Sequence, residues 1–250
     1  MDLAKTLSGT VLRCVPAAEI ERIAEQITVR RLARGDILFH EGCKPGSLDV
    51  VLCGHVELST GQLGAASSVL LVPEGEIVSP AAGLVDFPHA ETAHTVEGAR
   101  ILSIRKQALR RLDELPKLRE AIVSALVVRK RLLERHLVEL KCRSASQRLA
   151  WFLLEIVNGG RNPDGAELPC PKRSLASLIG VTPETLSRSL QVIARRGLVV
   201  RGTRIIVRNR SMIESFCLGE RRMSRDSSDV DGGGAPPPHD WWPSAPQPGA

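Results

Sequence analysis

The chain has 250 residues, enough for one large or two modest domains, and 43% of them are hydrophobic, so packed cores are within reach. A net charge of +6 is compatible with nucleic acid but does not require it. Six scattered cysteines (Cys14, Cys43, Cys53, Cys142, Cys170, Cys217) exclude zinc spacing, and no apolar run reaches the roughly 18 residues of a membrane span.

The opening MDLAKTLSGT does not read as a signal peptide, which with the unpaired thiols predicts a cytoplasmic chain with reduced cysteines. Residues 16–27 read as a short amphipathic helix with Ile20, Ile23, Ala24 and Ile27 inward. From Val29 to about Ile104 the pattern becomes short apolar runs cut by Gly and Pro, which predicts a β-sandwich or jelly roll. Gly35, Gly42, Gly46, Gly54 and Gly75 read as turn residues of that domain.

Lys106–Leu115 reads as a short helix closed by Pro116. One long helix then follows over about 118–140. Its best heptad seam places Val123, Lys130 and Leu137 at a, with Leu126, Leu133 and Leu140 at d. Three successive leucines at d predict a parallel dimer, although Lys130 weakens the seam. Arg129 at g and Glu134 at e would bridge the two copies. Ser144 or Ser146 caps the next helix, about 147–157, and a loop over 158–165 follows.

The stretch 168–207 carries the most information. Leu175, Leu178 and Ile179 form the apolar stripe of one short helix, and Gly180-Val181 makes a turn. Thr182 is a good N-cap for a second helix, and Pro183 suits its first position. Leu186, Leu190 and Ile193 recur at helical spacing, which leaves Glu184, Ser187, Arg188 and Gln191 on the wet face. Arg195-Arg196-Gly197 ends that helix, and two β-rich runs around Arg201-Gly202-Thr203-Arg204 form a hairpin. Helix, turn, helix and hairpin make a winged helix-turn-helix, whose second helix enters the DNA major groove. Nine Lys and Arg between Lys172 and Arg210, against Glu184 alone, favour phosphate contacts. A last short helix is expected over 211–217, and the Arg/Ser/Asp-rich and then Gly/Pro-rich residues 219–250 read as a disordered tail.

Two stretches carry a family resemblance, LARGDILFHEGCKPGSLDVVLCGHVELS and SLASLIGVTPETLSRSL. Over about residues 10–217 the chain resembles the CRP/FNR superfamily of bacterial transcription factors, with a recognition motif of the fumarate-nitrate type. The resemblance implies an α+β chain. It would have a cyclic-nucleotide-binding-like jelly-roll effector domain (10–115), a dimerisation helix (116–142), a winged helix-turn-helix (143–218) and a tail (219–250). It implies that Glu184, Ser187 and Arg188 read bases. Their chemistry agrees: arginine can donate twice to guanine, glutamate can accept from cytosine N4, and serine can meet a thymine edge. The implied target is a palindrome with TTGAT-like half-sites. Lys172 matches a phosphate-contacting position, and Arg173 and Thr182 are further phosphate candidates. Double-stranded DNA, a second copy of the chain and RNA polymerase are the implied partners, with no membrane.

The effector remains unassigned. The family's cyclic-AMP cassette has a Gly-Glu pair and then an Arg before a small hydroxyl residue. Here those positions read Ser79-Pro80, then His89-Ala90 or Glu91-Thr92, which argues against cyclic AMP. With only Cys14 near the start, an iron–sulphur cluster is also disfavoured. Haem is left as a candidate, with His89 and His94, and also His55 and Cys53, as its possible axial ligands. Thiol sensing at Cys142 and a regulator without an effector stay open beside it. The rival class is a β-barrel binding protein or cupin-like enzyme with an appended helical domain. The histidines lack the HxH spacing such enzymes present, and no nucleophile elbow, P-loop or paired acids appear.

Overall fold

A computed structural model of the chain describes residues 6–61, 67–160 and 162–218, so the tail expected at 219–250 lies outside the described residues. The chain divides into two compact units, Met1–Glu134 and Arg135–Ala250.

The first unit begins with a 3-10 turn at Val11–Cys14 and helix α1 (Ala17–Arg22). Seven strands are described: β1 (Ile27–Leu32), β2 (Ile37–Phe39), β3 (Ser47–Cys53), β4 (Val56–Thr60), β5 (Ser67–Val72), β6 (Thr92–Thr95) and β7 (Ala99–Arg105). A single helical turn, α2 (Ala81–Leu84), precedes β6. The strands form two antiparallel sheets, in the orders β1-β7-β3 and β2-β6-β4-β5. This is the expected jelly roll.

Period-two alternation sorts its side chains. Val51 and Ile101 meet Val56, Leu58, Val72 and Ala93 in a core between the sheets. Leu48, Val50, Leu102 and Ile104 point the other way, into a second core with Leu12, Ile20, Ile23, Leu118 and Ile122. Both faces of β3 are therefore covered, which explains its nearly continuous apolar run. Of the five glycines read as turn residues, Gly35, Gly42, Gly54 and Gly75 have positive φ and Gly46 does not.

Local rules misplaced three boundaries. The helix expected over 16–27 ends at Arg22, a 3-10 turn at Ala24–Gln26 follows, and Ile27 already belongs to β1. The helix expected over 106–115 breaks into α3 (Lys106–Leu109) and a 3-10 turn at Leu112–Glu114. Pro116 does not close that segment. It is the first residue of the long helix α4 (Pro116–Cys142), where its missing N–H costs nothing. The start is capped from far away in sequence. The buried Glu19 carboxylate accepts from Lys117 N (3.1 Å) and Leu118 N (3.0 Å), so an anion meets the positive end of the helix. Leu118, Ala121, Ile122 and Ala125, at i, i+3, i+4 and i+7, are its buried stripe.

In the second unit, α5 (Ala145–Gly159) opens with a capping box. Ser144 Oγ accepts from Gln147 N (3.3 Å), and Gln147 Oε1 accepts from Ser144 N (3.0 Å). The helix runs two residues past the expected end at Val157. Strand β8 (Gly165–Glu167), α6 (Lys172–Leu178), α7 (Pro183–Ala194), β9 (Leu198–Arg201), β10 (Arg204–Val207) and α8 (Arg210–Leu218) complete the unit. The strands form an antiparallel sheet in the order β8-β10-β9. The sequence reading named the hairpin β9–β10 but had no strand β8. None of the described helices is long and apolar enough to cross a membrane.

Candidate nucleic-acid interface

The helix-turn-helix is built from local rules. Leu175, Leu178 and Ile179 are buried, as are Leu186 and Ile193, whereas Leu190 is half-buried. Gly180 at φ +67° makes the turn, with Val181 N donating to Ala176 O (2.9 Å). Thr182 caps α7 by accepting from Thr185 N (3.3 Å), and Pro183 is its first residue.

Glu184, Ser187 and Arg188 are all exposed and sit within the first two turns of α7. Their i, i+3, i+4 spacing places them on one face. The Glu184 carboxyl is held below the usual carboxylate range, first by a hydrogen bond from its own backbone N–H, then by the Thr182 hydroxyl and the Arg188 charge. It is therefore an acceptor at neutral pH, which a cytosine amino group needs. Ser187 Oγ donates to Pro183 O (3.1 Å) and keeps lone pairs for a base edge.

Lys172, Arg173 and Thr182 are exposed, as are Arg195, Arg201, Arg204 and Arg208. Arg210 and Arg196 of the basic stretch are engaged within the fold. Arg210 donates to Asn158 Oδ1 (2.8 Å) and Pro163 O (2.7 Å), and Arg196 lies 5.2 Å from the centre of the Phe216 ring. Arg210 thus ties α8 to the end of α5 and to the loop that follows it, a role its place in a charge run does not show.

Sequence reasoning missed the residues that hold the turn. Arg148 of α5 donates from Nε to Ile179 O (3.0 Å), from Nη2 to Gly180 O (3.5 Å) and from Nη1 to Arg143 O (2.9 Å). His136, near the end of α4, donates from Nε2 to Leu178 O (2.8 Å). Three consecutive carbonyls, 178–180, are thereby satisfied by two side chains from other helices. Nearby, the guanidinium groups of Arg135 and Arg143 lie over the Trp151 ring, 4.9 Å and 4.3 Å from its centre. Its Nε1 donates to Glu155, which also pairs with Arg135 (2.8 Å). Burial holds the Glu155 carboxyl above the usual range, and the Arg135 charge opposes that shift. An Arg148→Ala variant is expected to lose about 1–3 kcal/mol of stability, because partly buried carbonyls lose a charged donor. Its DNA affinity should fall for every sequence alike; a changed base preference, read on operator variants, would place Arg148 among the reading residues instead.

The seam positions of α4 are exposed. Val123, Leu126, Leu133, Leu137 and Leu140 keep 37–58% of their surface open, and Lys130 is exposed as well. The bridge expected between Arg129 and Glu134 of a second copy is not supported by the side chains, which have partners within the chain. Arg129 donates to Ile77 O (3.0 Å) and Val78 O (3.4 Å), while Glu134 accepts from Lys130 Nζ (2.5 Å) one turn back on its own helix. Open carbonyls beside a barrel and an i,i+4 cation outcompete a rim pair worth a few tenths of a kcal/mol. Glu76 and Glu91 face the same guanidinium. Burial raises both carboxyls and the Arg129 charge opposes it.

Two of the histidines considered for haem differ in setting. His94 lies on β6, with Nε2 3.9 Å from Glu57 of β4. His89 is buried and stacks on Phe39, with ring centres 3.6 Å apart and planes 10° apart. Burial holds its imidazole below the usual pKa, with Asp49 opposing. All six cysteines are free. Cys170 and Cys217 are buried, and burial pushes the Cys217 thiol up to about 12. No group of three or more His, Cys, Asp or Glu among the described residues could hold a metal ion.

Comparison with known proteins agrees with this geometry. Residues 147–216 match the family described as Crp-like helix-turn-helix domain, and residues 29–114 match the cyclic nucleotide-binding domain. The chain is 26% identical over 204 residues to the "Cyclic AMP receptor protein" of Thermus thermophilus, covering 80% of this chain and 93% of that one. It is 28% identical over 202 residues to the "Transcriptional regulatory protein btr" of Bordetella pertussis, covering 74% and 79%. Among solved structures, FixK2 from Bradyrhizobium japonicum superposes with a TM-score of 0.65 at 21% identity, covering 76% of this chain and 96% of that one.

Proposed function

We propose that this chain, which belongs to the CRP/FNR superfamily of DNA-binding transcription regulators, binds a palindromic operator with TTGAT-like half-sites as a homodimer. The observation that carries the reading is the exposed Glu184–Ser187–Arg188 face at the start of a capped helix, surrounded by exposed cations. Bases are read by Glu184, Ser187 and Arg188; Lys172, Arg173 and Thr182 contact phosphates and set the register. The exposed stripe Val123, Leu126, Lys130, Leu133, Leu137 and Leu140 pairs with itself in the second copy. Two-fold symmetry then places two recognition helices about one DNA turn apart. The bound dimer acts on transcription through RNA polymerase. The family's regulators are not enzymes, and no catalytic role is assigned to any residue.

Selecting bound duplexes from a random pool tests the sequence preference. The expected outcome is enrichment of an inverted repeat of TTGAT-like half-sites; enrichment without dyad symmetry would contradict it.

Cyclic AMP is not the effector in this reading, because Ser79-Pro80 replaces the Gly-Glu pair and neither register supplies the phosphate-binding arginine. Haem fits the described residues poorly. The cleft beside His89 has a polar, charged floor at Asp49 and Ser103, and a macrocycle needs apolar walls. His94 already lies within ion-pair distance of Glu57. An absorption spectrum of protein purified without oxygen is expected to show no Soret band; such a band would assign haem after all.

A further inference from the structure

The inner face of the sheet β1-β7-β3 is apolar at one end and polar at the other. At the polar end lies a cleft of about 470 Å³, within the range of small-molecule sites. Its floor is built from buried groups. Asp49 accepts from Ser47 Oγ (3.1 Å) and Ser103 Oγ (2.5 Å) and lies 3.5 Å from Arg30 Nη2, so its charge is answered within the fold. Its rim carries Lys44 and Arg105, both exposed and in no ion pair among the described residues. One wall is apolar, made by Leu38 and by Phe39, whose ring stacks on His89.

Neither cation is in an ion pair among the described residues, so both stay available to an anion. Beside an apolar wall they match the recognition of a ring bearing an anion. We propose that this cleft binds a small planar organic anion, an aromatic carboxylate or phosphate ester. Lys44 and Arg105 hold the anionic group, and the Leu38–Phe39 wall receives the ring. Ser47 and Ser103 already serve Asp49, so the ligand's charge is met by the rim and not by the floor. His89, kept neutral by burial, adds a ring nitrogen without adding charge. The site lies wholly in the first unit and its occupancy is read without DNA, so it stands or falls apart from the operator.

Isothermal titration of the full chain with benzoate, phthalate and phenyl phosphate tests the site, with benzamide as the neutral control. Saturable binding of at least one anion, one per chain, is expected, with none for benzamide. A Lys44→Ala/Arg105→Ala double variant, altered only at exposed positions, should bind at least about tenfold more weakly, the loss of one charge-assisted contact. Arg188→Ala should bind as the parent does. The proposal is overturned by no saturable binding of any anion, by equal binding of benzamide, or by unchanged affinity in the double variant. Loss of binding in Arg188→Ala would place the anion on the DNA-reading surface and overturn it equally.

Discussion

Replacing Arg188 by alanine is expected to cost about 1–3 kcal/mol per half-site on the cognate operator, about 5- to 150-fold in affinity. The side chain is exposed one turn beyond Glu184, on the face of α7 that the N-cap and the apolar stripe turn outward. A guanidinium there can donate to both O6 and N7 of a guanine, and no other residue of this face can do so. The variant should lose its preference for guanine at that position while keeping its affinity for scrambled duplexes. Fluorescence anisotropy on the operator, on a guanine-substituted operator and on scrambled DNA separates the two effects. An equal loss on all three would make Arg188 a phosphate contact.

Replacing Leu133 by aspartate is expected to convert the dimer to a monomer in sedimentation velocity and to lower operator affinity by at least about tenfold. Leu133 lies at the centre of the stripe and outside both cores of the first unit. The change should therefore spare the folded chain. Burying an unpaired carboxylate between two copies costs several kcal/mol. Val138, equally apolar and 58% exposed, lies off the seam. Val138→Asp should change neither mass nor affinity. A dimer that survives Leu133→Asp would move the seam elsewhere.

The parts of this molecule that were legible in the sequence are those made by neighbours in the chain. Thr182, Pro183 and Gly180 act within one turn of their own position, so cap, start and turn followed from residue type alone. The short apolar run that becomes β7 was visible in the same way. What escaped depends on partners far along the chain. Glu19 reads as one acid of a short helix, yet it caps α4 about a hundred residues later. Nothing in the sequence around Arg148 marks it, yet it holds the turn before the recognition helix. Arg129 was assigned to a second copy because heptad spacing reports where a side chain leaves the helix, not which acceptor lies nearest. Charged side chains are long enough to choose among several partners, and only the packed structure decides between them. The cleft was hidden for a related reason: Asp49 and Ser103 sit in strands among buried residues, where alternation alone cannot tell a satisfied polar pair from the floor of a site.

In the proposed complex, two copies of one exposed α7 face read the two halves of a palindrome. The most direct test is a titration of the full chain onto a duplex carrying two inverted TTGAT half-sites one DNA turn apart, beside a duplex with one half-site scrambled. Two chains should bind per palindromic duplex, with a large loss of affinity when either half-site is scrambled. One chain per duplex, or equal affinity for both duplexes, would contradict that complex.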